Sequence, residues 1–71
     1  MDNEKAQNPI MQFFTYSHLP YGGPKEVGKL CSQLATTMEY TLPRCAETSA
    51  GLRKLLEAKD CFVRAAITQT T

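Results

Sequence analysis

Apolar and polar positions along the chain alternate at helical spacing in three stretches and at strand spacing in none. The longest runs from Leu52 to Ile67, without Pro or Gly. There Leu52, Leu55, Leu56, Phe62, Val63 and Ala66 fall at i, i+3, i+4, i+10, i+11 and i+14, one stripe at 100° per residue, with Arg53, Lys54, Glu57 and Cys61 on the other side. Lys59 interrupts it, seven residues after Leu52 and near its middle. A lysine so placed must snorkel, pair with an acid or face a wet pocket, and the plainest of these lays its stem over the core with its ammonium near an Asp or Glu.

A second stripe, Val27, Leu30, Cys31, Leu34, Met38 and Leu42, predicts a helix over Pro24–Leu42 that Pro43 stops. Lys29 lies opposite this stripe with Gln33, Thr36 and Tyr40 beside it, where periodicity alone makes it a solvated charge. Pro43-Arg44-Cys45 is a tight connector, and Ala46 or Glu47 opens the last helix, so the two long helices are antiparallel neighbours. Gly51, in the second turn, costs about 1 kcal/mol relative to Ala, which a close helix approach would justify.

Ahead of the hairpin, Asn8-Pro9 supplies an N-cap and a first-position proline for a short helix carrying Ile10, Met11, Phe13 and Phe14. Four large apolar side chains on so short an arm pack either across a subunit boundary or over the ends of the chain's own helices. Pro20 biases Leu19 away from helical angles, and Tyr21-Gly22-Gly23-Pro24 forces a loop in which Gly23 caps and Pro24 starts the next helix. Residues 1–8 read as a flexible N-terminus, and 9–71 as one all-α domain, an antiparallel two-helix hairpin with a short N-terminal helical arm.

Seventy-one residues allow one domain with a thin core, which favours assembly into a homo-oligomer. The three cysteines, Cys31, Cys45 and Cys61, form no CxxC pair, and MDNEKAQNP has no apolar signal core, so a reduced, cytoplasmic protein is expected. Neither a zinc site with His18 nor any other metal site has the close ligand pairs it needs, and no cofactor is expected. No apolar run approaches the roughly 20 residues of a membrane span. A net charge of +1 is too balanced for a protein gripping long DNA or RNA, though a small phosphorylated ligand needs only one or two placed cations. His18 has no nucleophile or orienting partner in view and reads as a hydrogen-bonding loop residue; with no paired carboxylates either, no enzyme is expected. On these grounds alone the chain is a small self-associating helical module, for which binding a protein partner through the aromatic arm is one available role.

Four blocks say more: FFTYSHLP at Phe13–Pro20, VGKLCSQLA at Val27–Ala35, LPRCAET at Leu42–Thr48 and LRKLLEAKDCFVRAA at Leu52–Ala66. In this order they resemble the second type of phage anti-CBASS protein, sponges that sequester the cyclic oligonucleotide signals of bacterial immunity, whose hairpin also resembles part of the sponges used against Thoeris defence. The resemblance implies a helical protomer assembled into a hexamer in the cytoplasm of an infected bacterium, with pockets between protomers that bind cyclic di- and trinucleotides without chemistry. It implies that Tyr16 stacks on a base and Lys29 meets a phosphate; since two copies of these alone only just reach nanomolar affinity, backbone amides near Ser17 and Pro20 are expected to help. It assigns Arg64 to a separate cyclic trinucleotide site. Gly22-Gly23-Pro24 departs from the charged loop expected there, which bears on ligand range, and Cys45 stands where a better N-cap is common, which bears on stability.

Overall fold

The computed structural model describes residues 8–70; the expectation for Met1–Gln7 lies outside them. A 3-10 helix, Pro9–Phe14, leads through an extended turn to α1, Gly23–Thr41, and a four-residue connector leads to α2, Ala46–Thr70. Among the described residues there is no strand. Gly23, at the start of α1, faces Ala66 near the end of α2, so the two helices are antiparallel, as the tight connector between them predicts.

The prolines punctuate as expected, with small shifts. Asn8 caps the 3-10 helix, its side chain accepting the Ile10 N–H at 3.2 Å, with Pro9 following. The expected boundary puts Asn8 in the flexible segment, yet its N–H donates to the Glu39 carboxylate and its Nδ2 to Ser49 Oγ at 3.0 Å, fastening the arm to both helices. At α1 the cap is Gly22 rather than Gly23, with φ of 94°, an angle at which an L side chain is strained. The Leu42 N–H closes α1 onto the Met38 carbonyl, and Pro43 cannot continue it.

The core is small. Met11, Phe14, Ala35 and Leu52 are buried together, with Ile10, Met38, Leu55 and Leu56 packed partly against them. Phe14 is only 2% exposed, so the arm's main anchor packs within its own chain, which resolves the open alternative for that residue; Phe13 remains 56% exposed.

The inward line of α1 differs from the expected stripe. Pro24, Gly28, Cys31 and Ala35 are buried, whereas Leu30 and Leu34 are 55% and 47% exposed. Gly28 and Ala35 are small enough to let the arm and turn lie close against the helix, and that contact outweighs burial of the leucines. The displaced leucines, with Val27, Leu55 and the 55% exposed Phe62, line an apolar groove of about 440 Å³ between the two helices.

Lys59 is 5% exposed, and its stem covers core as expected. Its ammonium partner, however, is the Phe13 carbonyl at 3.1 Å, not an acidic side chain. A further correction concerns Gly51: a Cβ built there meets nothing within 4 Å, so no close approach explains that glycine.

Candidate functional site

The turn between the arm and α1 wraps on the first turns of that helix. The Leu19 N–H bonds the Tyr16 carbonyl at 3.1 Å, closing a tight turn, and the Lys25 N–H bonds the Pro20 carbonyl at 3.0 Å. Lys25 Nζ reaches back to donate to the Ser17 carbonyl at 2.9 Å and lies 4.6 Å from the centre of the Tyr21 ring. One ammonium thus satisfies a loop carbonyl and holds an exposed aromatic ring by a cation–π contact.

Gly28 seats this turn. A Cβ there would stand 2.6 Å from Leu19 Cδ1 and 2.8 Å from Tyr16 Cβ, closer than real carbon atoms approach, so the missing side chain sets where Tyr16 sits. Tyr16 is half-buried. It forms a ridge between two depressions. One, of about 400 Å³, is lined by Tyr16, Tyr21, Gly22, Lys25, Glu26 and Lys29. The other, of about 380 Å³, is lined by Met11, Phe14, Thr15, Tyr16, Ser17, Ser32 and Thr36.

Tyr16 and Lys29, distant in sequence, therefore share one surface. Ser17 lies on the far side of the ridge, and its carbonyl is already taken by Lys25. Pro20 lines neither depression; it has no N–H to offer and its carbonyl caps Lys25. Arg64 is exposed on α2, its Nη2 3.6 Å from Cys61 Sγ, and also lines neither. His18 is exposed in the turn.

Sequence reasoning missed Tyr21, Lys25 and Glu26. The available signal was spacing: Lys25 and Lys29 are four residues apart, one helical turn, on the face that meets the Tyr16 turn. Chemically the depression offers two aromatic rings, two ammonium groups and one carboxylate, which suits a planar ring system carrying a negative charge.

The cysteines lie apart from this surface. Burial pushes the Cys31 thiol up, with the Lys59 charge acting the other way. Cys45, at the start of α2, has its thiol held below the usual range by the Thr48 hydroxyl and by the backbone N–H groups of Thr48 and Glu47. Among the described residues no group of three or more His, Cys, Asp or Glu is placed to hold a metal ion. Nor is any helix long and apolar enough to cross a membrane. No protein-family model, curated protein or solved structure matches the chain.

Proposed function

We propose that this protein is a sponge for cyclic oligonucleotides, binding cyclic di- or trinucleotide signals of bacterial antiphage immunity and holding them without turnover. The observation that carries the reading is the meeting of Tyr16 and Lys29 in one depression of about 400 Å³. Small-molecule pockets run from about 300 to 1,000 Å³, so this depression is at the small end and suits half of a two-fold cyclic dinucleotide. A second protomer related by a two-fold axis repeats every residue and supplies the other half. The exposed apolar groove of Leu30, Leu34 and Phe62 gives the protomer a reason to associate, and a hexamer is the assembly implied by the sponge family.

Affinity can be worked from the residues. Stacking contributes about 1–3 kcal/mol per base and a charge-assisted hydrogen bond about 1.5–3 kcal/mol. Two copies of Tyr16 and Lys29 give about 5–12 kcal/mol before ordering costs, against about 12 for nanomolar binding. Lys25 is a further cation at the same surface. Arg64 stands apart from it and is proposed to serve a separate cyclic trinucleotide site, repeated about a three-fold axis.

Titration calorimetry with cyclic di- and trinucleotides tests the reading. Tyr16→Ala and Lys29→Ala should each weaken dinucleotide binding about tenfold or more, on the order of 1.4 kcal/mol, while Arg64→Ala loses the trinucleotide alone. Ligand recovered after protease digestion of the complex should be intact. The apolar groove also fits a second reading, a helical module that docks a protein partner. Light scattering showing a monomer that binds no cyclic nucleotide would favour it.

A further inference from the structure

We propose that Glu26 reads the base in this site and selects guanine. The inference rests on the nucleotide reading of the depression and adds to it the identity of the base. Its starting point is an apparent mismatch: a surface suited to a phosphorylated ligand carries a carboxylate beside Tyr16, Lys25 and Lys29. The first turn of α1 suits an acid through the helix dipole, but a carboxylate repels phosphate and only accepts hydrogen bonds, so toward a nucleotide it serves a donor.

Among the described residues Glu26 makes no side-chain hydrogen bond, and the neighbouring Lys25 ammonium is turned instead to the Ser17 carbonyl and the Tyr21 ring. The backbone of Glu26 is fixed, its N–H bonded to the Gly22 carbonyl at 3.0 Å in the first turn of α1. A fixed backbone and a free carboxylate facing the same hollow as a stacking ring are the parts of a base-reading device: Tyr16 takes the face of the base and Glu26 its edge.

Ligand chemistry then chooses the base. An ionised carboxylate only accepts hydrogen bonds. On the Watson–Crick edge guanine presents two adjacent donors, N1–H and the N2 amino group, which match the two carboxylate oxygens. Adenine sets its N6 amino group beside the N1 lone pair, so the same carboxylate gains one bond and faces an acceptor. Uracil and cytosine likewise place acceptors next to their donors. Bidentate charge-assisted pairs are the strong and geometrically selective ones, and a polar site discriminates hardest against a ligand that leaves its groups unpaired.

Calorimetry on the full-length protein with cyclic di-GMP, cyclic di-AMP and cyclic di-IMP tests this, comparing wild type with Glu26→Gln after circular dichroism has checked the fold. Wild type should bind the diguanine ring about tenfold or more tighter than the diadenine ring. The hypoxanthine ring keeps N1–H but lacks the N2 amino group, and should fall between them on the unaltered protein. Glu26→Gln should weaken diguanine binding about tenfold while diadenine binding is kept or tightened, because a glutamine amide offers an acceptor to the adenine N6 amino group and a donor to its N1. Equal wild-type affinity for the diguanine and diadenine rings, or equal loss of both in Glu26→Gln, would overturn the assignment while leaving the sponge reading in place. Failure of wild type to bind any of the three, or trinucleotides, would overturn both.

Discussion

Replacing Gly28 with alanine, beside the same change at Gly51, isolates the contact that seats Tyr16. Both glycines lie inside long helices, so each substitution gains the same intrinsic propensity, about 0.8–1 kcal/mol. At Gly51 the new methyl meets nothing within 4 Å, and the gain should appear in full. At Gly28 it would stand 2.6 Å from Leu19 Cδ1 and 2.8 Å from Tyr16 Cβ. The leucine methyl can swing aside, but the tyrosine Cβ moves only with its backbone, whose Cα lies 3.7 Å from the same point. Overpacking of this kind costs about 1–3 kcal/mol, leaving Gly28→Ala between about neutral and 2 kcal/mol less stable than wild type. Urea unfolding at one fixed protein concentration reads both variants, the fixed concentration holding the mass-action contribution of self-association the same for both. In a thermal melt of a domain this size each kcal/mol is worth about 4–8 °C, so the variants should melt several degrees apart. If they gain stability alike, the turn does not rest on Gly28 and the placement of Tyr16 argued from it fails.

Two further outcomes follow from the buried lysine and from the cysteines. Lys59→Met keeps the stem that covers the core but removes the donor to the Phe13 carbonyl. A part-buried carbonyl left unpaired costs about 1–3 kcal/mol, and hydrogen exchange should quicken at the amides of residues 10–14 while the middle of α1 is unchanged; an arm that exchanges as in wild type would remove Lys59 as its anchor. Among the thiols, brief alkylation near neutral pH followed by mass spectrometry should label Cys45 well before Cys31. The thiolate is the nucleophile, Cys45 is held below the usual range by Thr48 and the helix-start amides, and Cys31 is buried and pushed up. Raising the pH should therefore bring Cys45 to its full rate first, and Cys31 reacting first would contradict the geometry at both sites.

The helices were legible because their boundaries are written in Pro9, Pro24 and Pro43 and their interiors in a 3.6-residue period. The facing of α1 was not. Its inward line contains Gly28 and Ala35, residues that add little to any apolar stripe yet permit close approach, whereas Leu30 and Leu34 dominate the pattern and stay exposed. Lys59 was visible as an anomaly, but its partner was not, because a backbone carbonyl leaves no mark on sequence. At the candidate site, periodicity gave Lys29 only a solvated face, and pairing it with Tyr16 came from the resemblance of short blocks. The shared depression is a property of the turn, created by Lys25 folding back on Ser17 and by the space at Gly28. Tyr21 and Glu26 looked like ordinary loop and first-turn residues until that turn placed them beside Tyr16.

These same contacts bear on how a chain with so small a core could bind tightly. An interface that must order its own side chains loses about 0.5–1.5 kcal/mol for each one immobilised, a large toll on the 5–12 kcal/mol available from stacking and charge. Here the backbone that carries those side chains is set before any ligand arrives. The arm is fastened by Asn8 to Glu39 and Ser49 and by Lys59 to Phe13, the turn is closed by Lys25 on Ser17, and Tyr16 is seated on Gly28. On the proposed reading each protomer therefore brings a half-site whose backbone is already set, and assembly joins halves rather than building them. What association adds is enclosure. Burying Leu30, Leu34 and Phe62 between copies would supply hydrophobic free energy at about 25 cal/mol per Å², independent of the ligand. Holding power then follows from a slow off-rate, because release from a shared pocket requires the second copy to yield as well.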